Sequence, residues 1–265
     1  MRNQEFADRG YYQFYSMEVV QRIGYDSFSA DDGVLLLMNR EIANENAPFI
    51  WVVDMHPDDI NLVDFVRPNG EKAMVSLGDA RQLADALMKA GKGEGVVSEY
   101  YDEYNKLHFY VLDKMYDDQG VLSYRVAVHS EEFDGKYSDK MSVSFGDASP
   151  AKAGKVGVQE VIITNNGTQP GLYRLDASND QGWDAMFPYD VIEVAPGATV
   201  SVPLYFQVPA VRPKNNEFQV SVTSEVTGNG YTTTGTVVPY GGKGGSGNGD
   251  DSDKPSRPGK DDTPS

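Results

Sequence analysis

The feature that most constrains this fold is a two-residue rhythm. Within residues 149–240, apolar side chains alternate with polar ones: Phe218, Val220 and Val222 in one segment, Val200, Val202, Leu204 and Phe206 in another. A strand turns successive side chains to opposite faces, so each set lies on one side of a sheet. Turn signals separate the segments: Asn165-Asn166-Gly167-Thr168, Asn179-Asp180-Gln181-Gly182, Ala195-Pro196-Gly197 and Thr227-Gly228-Asn229-Gly230. Glycine and asparagine accept the left-handed backbone that tight reversals need, and proline interrupts pairing. The predicted strands cover 156–164, 171–177, 190–194, 199–208, 217–226 and 232–238. So many short strands in one stretch predict an Ig-like β-sandwich over 149–240.

Residues 1–148 read differently, as a mixed α+β domain richer in strand than helix. Tyr15, Met17 and Val19 alternate with polar neighbours, while 34–38 and 49–53 are compact apolar strands. Two more, 107–112 and 121–128, are joined through Tyr116-Asp117-Asp118-Gln119-Gly120. The spacing predicts one helix over 79–90: Asp79 suits the N-cap, Leu83 and Leu87 share a face with Ala86 or Ala90, and Gly91 suits the stop. Residues 241–265 contain no aliphatic or aromatic side chain, so burial cannot offset their ordering entropy. That stretch is predicted to be a disordered, flexible tail. The fold class is thus mainly β.

Charge narrows the partners. The chain has 40 acidic and 23 basic residues, a net charge of −17. Nucleic acid is excluded, because phosphate recognition needs a basic face. No run approaches the roughly 20 apolar residues that span a bilayer, so no membrane span is expected. The absence of cysteine removes disulfides, thiol catalysis and cysteine-held metal centres. The first residues, Met1 to Glu5, lack the apolar core of a signal peptide.

Three histidines are present: His56, His108 and His129. No pair has metal-ligand spacing, and the zinc-binding pattern H-E-x-x-H is absent. His108 and His129 read as structural or edge residues. His56 lies where a strand enters a polar turn, in Asp54-Met55-His56-Pro57-Asp58-Asp59. Asp54, His56, Asp58 and Asp59 are the candidate metal ligands. The competing reading is a turn in which carboxylates cap loop amides. Calcium is the candidate cation for so acidic a chain. Asp176, Ser178 and Asp180 begin an EF-hand spacing, but Gln181 holds the glycine position and Phe187 the twelfth, so no EF-hand forms. Asp31-Asp32-Gly33 and Asp117-Asp118 are left as irregular ligands or simple turns. No nucleophile elbow, P-loop or dinucleotide fingerprint is found, and no catalytic residue is assigned.

Two stretches carry family likenesses. The segment from Tyr15 to Phe28, then Asp31 to Leu37, then Trp51-Val52-Val53-Asp54-Met55-His56-Pro57, resembles the part of immune-inhibitor-A-like secreted metallopeptidases that follows the catalytic helix. Residues 81–86, 107–110 and 120–124 continue that likeness, which covers roughly 11–130. Residues 153–227 resemble the Ig-like module called NPCBM-associated or alpha-galactosidase-associated, through the Asn-Asn-Gly-Thr turn, Trp183 and the Val194-Ala195-Pro196-Gly197 turn. The metallopeptidase resemblance implies secretion from a bacterium, with the tail as a tether that suits the cell surface. It also implies that the zinc and the catalytic domain lie upstream of this sequence.

These readings give the chain a role as an accessory, non-catalytic region of a secreted metalloprotease-like protein. Its partners would be the upstream catalytic domain of the same polypeptide and an extracellular protein or glycan substrate. The alternative is a free-standing extracellular binding or adhesion protein, stacking sugars on Tyr11, Tyr12, Tyr100, Tyr101, Tyr104, Trp51 or Trp183, although most of these fit core positions. A third reading is a self-contained enzyme built on the turn around His56.

Overall fold

A computed structural model describes residues 11–27, 31–42, 49–57, 63–66, 69–74, 86–132 and 140–240. Strands β1 (Tyr11–Val20), β2 (Gly33–Ile42) and β3 (Phe49–Val52) form an antiparallel sheet. β4 (Val63–Val66) and β5 (Lys72–Met74) make a separate ribbon. β6 (Glu99–Asp102), β7 (Leu107–Tyr116) and β8 (Leu122–Ser130) form a second three-stranded sheet. The alternation read in 15–19 matches the register Tyr15↔Met38, Met17↔Leu36, Val19↔Val34.

Consecutive apolar residues in β2 are explained by burial on both faces. Val34 and Leu36 pack with Met55, Met88, Phe109 and Val111, which joins the first sheet to the second. Leu35 points the other way, onto Ala86 and Leu87. A buried carboxylate adds a polar clasp. Asp102 accepts hydrogen bonds from the Tyr15 hydroxyl, from Asn105 Nδ2 at 2.5 Å, and from the backbone amides of Tyr104 and Asn105 at 3.0 and 3.1 Å. Burial alone would raise its pKa, but these donors hold it below the usual aspartate value.

The α+β expectation is corrected here. Residues 79–85 of the expected helix lie outside the described residues, and 86–90 are not helical. Met88 forms an antiparallel bridge to Val34, with both N–H···O distances at 2.9 Å. Ala86, Leu87 and Met88 are buried in succession, which an amphipathic helix face cannot do. Residues 86–88 instead lie against β2 through the Met88 bridge. Gly33 permits the approach, since a Cβ there would stand 2.6 Å from Leu87 Cβ and 2.9 Å from Met88 O. Among the described residues the sole helical element is a 3-10 turn, Gly24–Asp26.

β9 (Met141–Ala148), β10 (Val156–Asn165), β11 (Gly171–Asn179), β12 (Ala185–Met186), β13 (Val191–Val194), β14 (Thr199–Gln207), β15 (Asn216–Ser224) and β16 (Gly230–Val237) build the sandwich. One sheet runs β12-β14-β10-β9 and the other β13-β11-β15-β16. β9 pairs with β10 and belongs to the sandwich by hydrogen bonding. The inward faces are the alternating sets: Val161 and Ile163, Val202, Leu204 and Phe206, and Phe218, Val220 and Val222 are all buried. Trp183, Phe206 and Phe218 meet in the middle with ring centroids 5.2–6.1 Å apart. The stretch 241–265, read as a flexible tail, lies outside the described residues.

Candidate functional site: a charge cluster between sheet and sandwich

The second sheet meets the sandwich through a small apolar seam and a polar cluster beside it. Tyr110 and Leu112 of β7 pack on Val191 of β13, flanked by Ala127 and Leu172. Residues two apart in a strand share a face, so the seam face of β7 runs on from Leu112 and Tyr110 to His108, and that of β11 from Leu172 to Arg174, where it turns polar. Glu99 comes from β6, His108 from β7, Arg174 from β11, and Glu225 from the residue just after β15.

Arg174 is the hub. Its Nη1 and Nη2 donate to Glu99 Oε1 and Oε2 at 2.9 and 2.7 Å, and its Nε and Nη2 donate to Glu225 Oε1 and Oε2 at 2.7 and 3.0 Å. The planar guanidinium thus grips one carboxylate from each region in fork geometry. Tyr110 is 1% exposed, and its hydroxyl donates to Glu225 Oε2 at 2.5 Å. His108 stacks on the Tyr110 ring at 4.2 Å, with Nδ1 2.8 Å from the Tyr110 oxygen and Nε2 3.0 Å from Glu99 Oε2.

Proton accounting follows from these contacts. The Glu99 carboxylate accepts, so Nε2 donates to it. Tyr110 has one proton and gives it to Glu225, and the same hydroxyl oxygen lies against Nδ1. Burial alone would raise the Glu99 pKa, but hydrogen bonds from His108 and Arg174, together with their charges, bring it down to about 2. Burial and the bond to Glu225 push the Tyr110 hydroxyl well above its ordinary value. The bond to Glu99 leads the interactions that raise Arg174.

Glu99, His108 and Glu225 can each offer a ligand atom within 4.8 Å of the others. A carboxylate–imidazole–carboxylate set suits a divalent cation in principle. Here the donors are already spent. Arg174 holds both oxygens of each carboxylate, and both imidazole nitrogens have partners, so a zinc ion does not fit without displacing the arginine. What the arrangement does chemically is brace two β-structures. Lys92–Asp190 at 2.5 Å and Arg125–Glu193 at 3.7 Å lie along the same junction.

Of the sequence-derived ligands, Asp54 and His56 are described; Asp58 and Asp59 lie outside the described residues. Asp54 Oδ1 accepts the His56 backbone amide at 2.9 Å, the loop-capping geometry of an Asx turn. Asp31 pairs with Lys89 at 2.7 Å, and Asp117 accepts the amides of Gln119 and Val121 at 2.9 and 2.8 Å. Trp183 is a core residue at 6% exposure, whereas Tyr104 is 82% exposed. Glu99, Tyr110, Arg174 and Glu225 carried no sequence signal. Tyr110 and Arg174 sit in ordinary strand alternation, and acidic residues are too numerous here for any pair to stand out.

With this geometry in place, comparison with known proteins adds the context. Residues 1–131 match a family model described as a middle domain. A protein of Arthroderma benhamiae named "Putative secreted metallopeptidase" is 42% identical over 165 residues, which is 62% of this chain and 22% of that protein. The chain therefore spans about a fifth of its relative's length. It is similar in general terms to part of a secreted metallopeptidase-like protein. Among solved structures, a FixG-related protein from Vibrio parahaemolyticus is 13% identical, covering 38% of this chain and 98% of that one at a TM-score of 0.33. Native alpha-2-macroglobulin from Escherichia coli, spanning domain MG7 to the C-terminus, is 12% identical over 40% of this chain and 17% of that one, also at 0.33. Scores this low carry no weight for function. Among the described residues, no helix is long and apolar enough to cross a membrane.

Proposed function

We propose that this chain is an accessory region of a secreted metallopeptidase-like protein, supporting a catalytic part that lies elsewhere in the polypeptide. The observation that carries this is the 42% identity to a protein bearing that name, of which the matched stretch is 22%. The absence of H-E-x-x-H from the sequence fits a region without zinc chemistry of its own. In this reading residues 1–148 buttress the catalytic part, the Ig-like module over 149–240 sets its distance from extracellular protein or glycan, and 241–265 is a tether. The braced junction gives that role physical content. A spacer transmits position only if its units do not swivel, and a bidentate arginine across the joint resists swivelling.

An immunoblot of the host's secreted fraction, with antibody raised against this chain, tests the proposal. The expected result is a band well above 29.1 kDa that also clears gelatin in a zymogram. A secreted band near 29.1 kDa without gelatinase activity would replace it with the free-standing adhesion reading.

A further inference from the structure

The turn after β10 carries chemistry that the accessory role does not use. Asn166-Gly167-Thr168 is an asparagine-x-threonine triplet, the acceptor pattern for N-linked glycan in secreted chains, and the sequence contains no other. The preceding Asn165 is followed by Asn166 and Gly167 and lacks the hydroxyl two residues on. The fold sorts these two asparagines sharply. Asn165 is 1% exposed; its Nδ2 donates to Gln169 O and Val194 O, each at 2.8 Å, and its Oδ1 accepts the Gly167 amide at 2.8 Å. Those bonds clamp the turn from inside.

Asn166 is turned outward. Its backbone amide donates to Lys140 O at 2.7 Å, which fixes its place at the end of the sandwich. Its exposed side-chain amide makes a long contact, Nδ2 to Ser142 Oγ at 3.3 Å. Thr168 is exposed beside it. One Nδ2 hydrogen can be replaced while the other keeps the Ser142 contact, so a sugar there costs the fold nothing it depends on.

We propose that Asn166 is an N-glycosylation site, accepting an oligosaccharide from a lipid-linked diphosphate donor in a eukaryotic secretory route. In the transfer, Nδ2 bonds to the anomeric carbon of the first sugar. The bond from that carbon to the diphosphate oxygen breaks, the amide gives up one proton, and the lipid diphosphate leaves. The inference rests on the secreted reading, which the name of the relative from Arthroderma benhamiae supports, and takes a eukaryotic host like that relative's in place of the bacterial one the resemblance implied. A glycan at this pole would stand beside Gln169 and Pro170, which line an open groove with Val126, Val128 and Leu172. It would shield apolar surface that a secreted protein otherwise presents to water.

The test expresses the full chain behind a cleavable secretion leader in a eukaryotic host, beside N166Q, T168A and T168S. Wild type and T168S are expected to lose mass on treatment with an N-glycan-releasing amidase, which leaves aspartate in place of Asn166. N166Q and T168A are expected to show complete loss of that shift, with Trp183 fluorescence unchanged. Secreted, folded wild type with an unmodified Asn166 would overturn the site. Native protein retained inside its host would overturn the secretion reading instead, and is told apart because the leader-directed chain is still modified.

Discussion

The sandwich and the sheets before it are both antiparallel β-structure, yet they hold together differently. In the sandwich one continuous cluster of buried side chains runs from Met141 to Val237 and includes Trp183, Phe206 and Phe218. In the described part of the preceding region the apolar material is divided among smaller clusters around Leu36, Leu35 and Tyr110. β2 is buried on both faces and makes up for the lack of one large core by contacting two. Polar clasps do more of the joining there: Asp102 ties β1 to the β6–β7 turn, and Arg174 ties β6 to the sandwich. The lesson is that identical secondary structure does not imply identical sources of cohesion. A single core tolerates loss of a surface charge; a set of small cores depends on the bonds between them.

That comparison can be broken most directly in the sandwich. Phe218→Ala removes a fully buried ring from the aromatic centre and should cost about 4 kcal/mol, the usual price of a large-to-small core change. With Trp51 replaced by Phe, Trp183 alone reports the sandwich; with Trp183 replaced, Trp51 reports the first sheet. Denaturation followed by each should show Phe218→Ala shifting the Trp183 transition far more than the Trp51 one. Equal shifts would mean one cooperative unit and would end the contrast.

Arg174→Met sharpens it from the other side. The substitution leaves Glu99 and Glu225 facing each other without their shared cation. Loss of charged hydrogen bonds at this half-buried site should cost about 2 kcal/mol. The expected signature is separation of the two tryptophan transitions, with the first sheet unfolding earlier. Coincident transitions at the wild-type midpoint would show that the apolar seam alone holds the junction.

Acid should produce a weaker version of the same separation. The folded pKa of Glu99 lies at about 2, below its ordinary 4.5, so its contribution is fully present above the ordinary value. It is lost progressively as pH falls from about 4.5 toward 2, because the unfolded chain takes up the proton first. Glu99→Gln should flatten that part of the stability profile when compared with wild type by thermal unfolding. An unchanged slope would remove Glu99 from the brace. The smallest effect belongs to Lys92→Ala, whose partner Asp190 is about a third exposed. A loss of about 0.5 kcal/mol is expected, and 1 M salt should erase it.

How much of this was legible in the chain follows from how far each signal reaches. The sandwich strands were readable because alternation and turn chemistry act over a few residues: Phe218, Val220 and Val222 face the core as their spacing requires. β9 carries the same signal more weakly: Met141, Val143 and Phe145 alternate, but only Met141 is fully buried. The helix expected over 79–90 failed where it can be judged, because Leu87 and Met88 obey a partner strand rather than their own periodicity. At Asp54 the carboxylate accepts the His56 amide, a local contact between residues two apart in the chain.

The braced junction lies beyond any local reading. Glu99 and Glu225 are far apart in the chain, and neither differs in type from the other acidic residues. The sequence by itself determined a β-rich, acidic, cysteine-free chain with a sandwich in its second half, because composition and period-two patterning are properties of short windows. Only the tertiary structure decided that one arginine in β11 would face carboxylates from two regions, and that of two adjacent asparagines one would be sealed in and the other left to solvent. Those outcomes depend on which faces meet once the sheets have packed, and no window of neighbouring residues contains that information.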